Sequence, residues 1–310
     1  MYFQISVIIC THNPRSKYLI RVLDAIKHQS LPQSEWELLL IDNASQSILA
    51  ESVDLSWHPH SRHIREETLG LTHARLRGIA EAQANILVFV DDDNILDPDY
   101  LTNVLKIAKE YPCLGAWGCG QSIPEFEVPP PDWAEPYLPK LALKKLDKDK
   151  WSNIWPSETT PCGAGLVIRQ EVGKKYAELL SHNPERKKLD RTGNLLLGGG
   201  DLDLAATAVD IGLGTGQFVC LKLIHLIPAS RLELNYLLSL VEGSALSKTL
   251  LENFRRNSET LTLPLPKKKI NWIEKIKNKY HKFKLHKIDR EFQLAIQKGQ
   301  SKAIDLIKSL

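Results

Sequence analysis

The sequence predicts an α/β fold with a mostly parallel, Rossmann-like sheet flanked by helices. Two observations carry that expectation. Short β-branched runs alternate with stretches of helical periodicity through residues 5–120, a pattern of βαβ units. Each of the first three runs also stops at a polar cluster: "THN" at 11–13, "DN" at 42–43 and "DDDN" at 91–94. Right-handed crossovers place the C-terminal ends of such strands on one rim, where ligands of open α/β sheets bind.

In order, "ISVIIC" (5–10) reads as a buried strand. Leu19, Val22, Leu23 and Ile26 then recur at helical spacing, with Pro32 closing the segment. In "THN", ahead of Pro14, the sequence also offers a helix N-cap. "WELLLID" (36–42) is a second strand, 70–84 a helix, "ILVFV" (86–90) a third strand, 98–109 a helix and "LGAWGCG" (114–120) a fourth strand. Residues 121–160 are Pro- and Trp-rich without periodicity. "GAGLVI" (163–168) turns into a strand, and "GGGDLDLAATAVDIG" (198–212) reads as a glycine hinge, Asp201 at an N-cap, and a helix ending at Gly212.

Composition excludes several classes. The 310 residues are 43% hydrophobic and 25% charged, ordinary for a globular chain. A formal net charge of +3 gives no argument for nucleic-acid binding. The five cysteines are scattered and form no CxxC, against a zinc knuckle or disulfide framework. The N-terminus has no basic lead and its apolar run is short for a signal peptide. No apolar run reaches bilayer-spanning length, so a cytoplasmic location is expected, peripheral to the membrane if the tail binds it.

Asp91, Asp92 and Asp93 end an apolar strand side by side. Like charges so close cost free energy unless a cation or water screens them. A solvated turn accounts for one such cluster; a metal site at a strand tip accounts better for three clusters on one rim. An EF-hand loop is excluded by the missing glycine and distal glutamate.

The segments "VIICTHNPR", "LLLIDNAS", "GLTHARLRGI", "ILVFVDDDN", "CGAGLVIR", "GGGDLDLA" and "HLIPASR", in that order from Ile5 to Arg231, resemble inverting, nucleotide-sugar-dependent glycosyltransferases of family 2, which have the GT-A fold. The resemblance implies a DxD motif at Asp91–Asp93. Asp91 and Asp92 would face the nucleotide sugar, and Asp93 would hold Mg²⁺ or Mn²⁺ against the diphosphate. Hard oxygen ligands suit either ion. Thr11, Asn13, Arg15, Asp42 and Asn43 would line the nucleotide pocket, with Asp42 on the base edge. Arg75 matches the arginine of the family's "ARN" segment, where Leu76 replaces asparagine; it touches phosphate or pairs with a rim aspartate. The general base falls at Asp201, in the family's "ED" pair, with Asp203 in reserve; Gly200 stands where the glutamate belongs. His225 is either a metal ligand or a structural histidine, and Arg231 is placed to bind the diphosphate. Gly163, Ala164 and Gly165 fall on the acceptor side. Trp133, Trp151 and Trp155 form either an acceptor platform or a small satellite core.

The implied division is a GT-A catalytic domain at 1–232, with a nucleotide-sugar half (1–120) and an acceptor half (121–232), and a C-terminal helical extension at 233–310. Within the extension, 264–290 alternates lysines with Trp272, Ile273, Ile276, Tyr280 and Phe283 at helical spacing. That suits an anionic membrane surface or docking on the catalytic domain. The expected reaction is transfer of one sugar, UDP being the favoured donor nucleotide, to a glycan or lipid-linked hydroxyl acceptor. No QxxRW motif of processive synthases is present. The competing classes are a sugar-1-phosphate nucleotidyltransferase, which "THNPR" disfavours because it holds no glycine, and a non-catalytic nucleotide- or carbohydrate-binding scaffold.

Overall fold

A computed structural model describes residues 3–191, 196–256 and 287–309. Its centre is one sheet in the order β3-β2-β1-β4-β9-β6-β10-β5. The first half comprises β1 (Ile5–Thr11), β2 (Trp36–Asn43), β3 (Ser61–Glu66) and β4 (Ile86–Asp91), all mutually parallel. Because β1 has β2 on one side and β4 on the other, the crossovers diverge there. That divergence opens a crevice beyond the strand ends.

Period-two alternation sets the two faces of this sheet. Val7 and Ile9 pack with Leu19, Val22 and Ile26 of α1 (Ser16–Lys27) and with Tyr100, Leu101 and Val104 of α3 (Tyr100–Glu110). Ile8 and Phe89 face the other way, onto Ile79 of α2 (Leu71–Glu81), Val172 of α4 (Gln170–His182) and Leu204 of α5 (Gly200–Asp210).

The second half departs from the expected pattern. β6 (Leu114–Phe126) is longer than the run that announced it because it pairs in parallel with β10 (Gly214–Ile227) to its last residue, Phe126 opposite Ile227. Between β4 and β6 lies β9 (Val167–Arg169), antiparallel to both. The strand read from "GAGLVI" therefore runs opposite to its neighbours. β5 (Asn94–Leu96) and β8 (Lys150–Ser152) pair antiparallel with β10, and β7 (Lys144–Lys145) with β6.

Among the described residues, two long helices follow, α6 (Leu234–Arg256) and α7 (Lys287–Ser309). Leu237 and Val241 of α6 and Phe292 of α7 bury with Ala134, Leu141 and Ile227. Tyr137 stacks on Phe292 at 3.4 Å between ring centroids, and Lys298 and Lys302 of α7 both pair with Glu242 of α6. The basic segment 264–290 lies outside the described residues except for 287–290, which open α7. Among the described residues, no helix is long and apolar enough to cross a membrane.

Candidate active site

A cavity of about 540 Å³ lies at the C-terminal ends of β1 and β4. It is lined on the strand side by Thr11, Asn13, Arg15, Asn43 and Asp91–Asp93. From the far side come Arg75, Gly163, Ala164, Asp201, His225 and Arg231. Residues from 11 to 231 thus converge on one crevice. Asp42, Gly165, Asp203, Trp133, Trp151 and Trp155 are not among its lining residues.

The exit loop of β1 is tied to that of β2. Asn13, at φ 48°, donates its backbone N–H to Ser45 Oγ at 2.9 Å, and its Oδ1 accepts from Gln46 N at 2.8 Å. Asn13 Nδ2 donates to His12 Nε2 at 2.9 Å, so His12 Nδ1–H donates to the Asn43 carbonyl at 2.7 Å. α1 begins at Ser16 with Arg15 in the N-cap position and no side-chain cap; "THN" is a loop clasp, not the expected cap. Asn43 lines the cavity, but its amide is spent on the backbone of Glu66, Thr68 and Gly70.

Asp42 corrects an expectation. It is buried, its carboxylate accepts from Arg65 Nη1 at 2.7 Å and from the backbone N–H groups of Ser45 and Leu49, and it does not line the cavity. Burial opposes its charge, but the Ser45 and Arg65 hydrogen bonds hold its carboxyl below the ordinary value. Asp42 organises the β2 exit instead of presenting a free edge.

The three strand-end aspartates differ. Thr11 Oγ1 donates to Asp92 Oδ2. Burial, and then the Asp93 anion, push Asp92 up to about 7 and also raise Asp91. Asp93 is 6% exposed and pairs with Arg231, Nη2 to Oδ2 at 2.8 Å. Arg231 Nη1 donates to His225 Nε2 at 3.1 Å. Arginine offers no acceptor, so that imidazole nitrogen carries a lone pair and the proton sits on Nδ1, which is buried without a partner. Asp93 Oδ2 and His225 Nε2 lie 3.6 Å apart. An oxyanion and an imidazole lone pair therefore face one cation, here the guanidinium. Among the described residues, no group of three or more His, Cys, Asp or Glu side chains could hold a metal by itself.

Asp201 lies in the first turn of α5, behind Gly199 in the N-cap position. It is not the cap. Its Oδ2 accepts the Gly163 N–H at 2.6 Å and its Oδ1 the Leu202 N–H at 2.7 Å. Gly163 leaves room for both charged groups: a Cβ would lie 2.8 Å from Arg75 Nη2 and 3.2 Å from Asp201 Oδ2, so these side-chain ends would have to shift to admit one. Gly165, at φ 67°, is a packing residue, since a Cβ would collide with the Tyr100 hydroxyl, which donates to its carbonyl at 2.6 Å.

Arg75 does pair with a rim aspartate, one the sequence reading passed over. Its Nη1 donates to Asp190 Oδ2 at 2.6 Å, and both side chains are about 5% exposed or less. Burial opposes the charge of Arg75, and Asp190, Asp201 and Asp91 raise its pKa in spite of it. Asp190, in "KKLDRTG", follows no strand and no motif, so nothing local marked it. Arg191 and Tyr236 also line the cavity.

The remaining expectations resolve away from the cavity. Asp203 is fully buried and held by Arg186 at 2.6 and 3.0 Å and by Arg255 at 2.9 Å; it is a structural anion. Trp133 packs against the α6–α7 cluster, Trp155 packs with Leu250 and Phe254 under the Arg255 guanidinium, and Trp151 is exposed on β8. The three indoles belong to separate surroundings and form no common platform. Cys10 and Cys162 line the cavity, but burial pushes both thiols up, Cys10 to about 12, which keeps them protonated and unreactive.

Comparison with known proteins gives the family and the fold. Residues 6–176 match the family model described as Glycosyl transferase family 2. Glycosyltransferase AglE of Haloferax volcanii is 32% identical over 92 residues, 29% of this chain and 30% of that protein. Polypeptide N-acetylgalactosaminyltransferase 8 of Drosophila melanogaster is 32% identical over 91 residues, 28% of this chain and 15% of that protein. Matches to these curated relatives therefore span less than a third of the relatives' own length. Among solved structures, S. aureus TarS 1–349 in complex with UDP-GlcNAc superposes with a TM-score of 0.54 at 14% identity, covering 83% of this chain and 68% of that one. GalNAc-T7 with UDP, GalNAc and Mn²⁺ gives 0.51 at 18% identity, covering 90% and 55%. At such identities the likeness establishes the fold, which is GT-A.

Proposed function

Because this chain belongs to glycosyl transferase family 2, we propose that it transfers one sugar, with inversion, from a nucleotide-diphosphate sugar to a hydroxyl acceptor. One observation carries the reading: the acidic end of β4 and the carboxylate of Asp201 face a single cavity that also holds Arg75 and Arg231. UDP is the nucleotide favoured, since UDP or UDP-GlcNAc is bound in the two structures of like fold. A glycan or a lipid-linked sugar is the acceptor class proposed.

Asp201 is the general base. The Gly163 and Leu202 amides fix its carboxylate at the cavity wall. It takes the proton of the acceptor hydroxyl as that oxygen bonds to the anomeric carbon. The bond from that carbon to the phosphate oxygen breaks on the opposite side, and its electron pair leaves on the diphosphate. Arg231, Arg15 and Arg191 line the cavity as counter-charges for the leaving group.

Asp93 and His225 fit a Mg²⁺ or Mn²⁺ ion, because their donor atoms already share one cation. When bound, such an ion supplies charge neutralisation for the leaving diphosphate. With the ion in place, Arg231, which lines the same cavity, would be available to the phosphates.

Calorimetry with UDP, GDP and dTDP, with and without Mn²⁺, tests the reading, together with nucleotide release from a panel of their sugars. The expected result is Mn²⁺-enhanced binding of one nucleotide and release from a sugar of that nucleotide. Binding of none of them would overturn it.

A cytoplasmic location with the lysine-rich segment 264–290 on an anionic membrane surface is part of the proposal. Removing the tail is a poor test, because α7 packs on α6. Replacing Lys267, Lys268 and Lys269 by Gln should instead lower low-salt pelleting with anionic vesicles, and unchanged pelleting would count against it.

A further inference from the structure

Gly200 opens α5 beside Asp201, and its missing side chain is what admits Asp190. A Cβ at residue 200 would lie 2.5 Å from Asp190 Oδ2, 2.8 Å from its Cγ and 2.9 Å from its Cβ. The carboxylate of Asp190 thus occupies the space that a side chain at 200 would fill. It is 3% exposed, in a cavity wall where an unpaired anion would be costly. Its partner is Arg75, at 2.6 Å, with Thr72 Oγ1 donating at 3.4 Å and the Arg191 N–H donating to its other oxygen at 3.1 Å.

What Asp190 holds is placed with equal tightness. Arg75 Nη2 fills the space over Gly163, the glycine whose N–H donates to Asp201 Oδ2. The guanidinium therefore lies next to the Asp201 carboxylate of α5, across the bare Cα of Gly163. Asp201 and Asp91 both raise its pKa, which places their charges within its field. Two absent Cβ atoms, at 163 and 200, make room for one buried ion pair beside the proposed base.

We propose that Asp190 is a positioning residue for the transfer reaction: it fixes Arg75 over Gly163 and beside Asp201, and the glycine at 200 is the condition for its doing so. This rests on the transferase reading. Its content is separate, because it assigns residues 190 and 200 to one shared volume and makes them exchangeable. A carboxylate delivered from 200 should hold Arg75 as well as one delivered from 190, provided residue 190 gives up its own Cβ.

The test uses the full chain in four forms: Asp190→Asn, Asp190→Gly, Gly200→Asp, and Asp190→Gly combined with Gly200→Asp. Crystal structures report the position of Arg75. Calorimetry with UDP and Mn²⁺ reports binding, and UDP release from UDP-sugars reports turnover.

Asp190→Asn keeps the volume and should displace Arg75 from Gly163. It should lower kcat at least tenfold while KM for the UDP-sugar and UDP affinity stay within about threefold, a split that general loss of stability does not produce. Gly200→Asp alone should be poorly folded or inactive, from collision with Asp190. The double variant should return Arg75 to its place and recover kcat to within about tenfold of the parent. Arg75 unmoved in Asp190→Asn would overturn the positioning role, as would a double variant no better than Asp190→Gly. Displacement of Arg75 with unchanged kcat would overturn its link to the reaction. If the parent releases UDP from no donor, the transferase reading fails, while the position of Arg75 in the variants still decides this one.

Discussion

Arg231 and Asp93 form an ion pair at 2.8 Å whose third member is the lone pair of His225 Nε2, 3.1 Å from the guanidinium. The strand-end carboxylate is therefore already in contact with a cation supplied by the chain itself. If the proposed divalent ion binds at Asp93, it would compete with Arg231 for the same oxygen.

That competition sets the first expected outcome. Asp93→Asn should abolish any gain in UDP affinity that Mn²⁺ confers, at temperatures below the melting point that loss of the buried pair with Arg231 lowers. Arg231→Gln should do the opposite for the ion alone, tightening Mn²⁺ binding in the absence of nucleotide while weakening UDP. Titration calorimetry of both variants checks this. Equal Mn²⁺ affinity in Arg231→Gln and parent would show that the pair does not guard the site.

Asp201→Asn should leave UDP binding intact and lower kcat by about 10²–10⁴-fold, the usual contribution of a positioned base. The amide oxygen of the variant can accept from only one of the Gly163 and Leu202 N–H groups that the carboxylate serves together, so a crystal structure showing Gly163 unmoved must accompany the assay. Turnover within a few-fold of the parent would remove Asp201 from the base role.

Asp203→Asn should instead cost stability. Asp203 is 0% exposed and satisfies Arg186 and Arg255 together. Removing one partner of a buried ion pair costs about 3–5 kcal/mol. Urea denaturation should show that loss, with UDP affinity unchanged at low denaturant.

These two aspartates mark where the sequence was legible. Strand ends at Thr11 and Asp91 were readable because apolar runs stop there, and a parallel sheet forces such ends onto one rim. Asp201 and Asp203 sit two residues apart in the first turn of one helix, and spacing cannot tell which faces the cavity. Arg186 and Arg255, which claim Asp203, come from distant segments. β3 was missed because its half-buried "SRHIRE" alternates polar residues with few apolar ones. β9 was legible as a strand but its antiparallel direction was not, because that direction is fixed by β6, which follows β4 in sequence but pairs beyond β9. Asp190 carried no local pattern; only the bare Cα of Gly200, standing where the resemblance places a glutamate, pointed to a second group in that space.

A last expectation concerns acid stability. His58 is 2% exposed and packs on Trp36 at 4.1 Å between ring centroids. Its Nδ1 accepts the His60 N–H at 3.2 Å. Burial, and then the neighbouring His60, push its pKa down from 6.5 to about 4. The groups facing it are His60, Trp57 and Trp36, and none of them supplies a negative charge. The native ring is therefore neutral where the unfolded ring is protonated. Between pH 6.5 and about 4 the unfolded chain binds the extra proton, so stability falls as pH falls through that window and is whole above it. The loss assignable to His58 is about 3 kcal/mol across the whole window, of which about 2 kcal/mol is felt by pH 4.5. His58→Asn carries its Oδ1 on Cγ, as Nδ1 is carried, so it keeps an acceptor for the His60 amide but cannot titrate. Urea denaturation of both proteins at neutral pH and near pH 4.5 isolates the effect, because every other titrating group cancels in the difference. The stability difference between parent and variant should shift by about 2 kcal/mol in favour of the variant on acidification. A difference independent of pH would mean that the native ring accepts the proton without penalty.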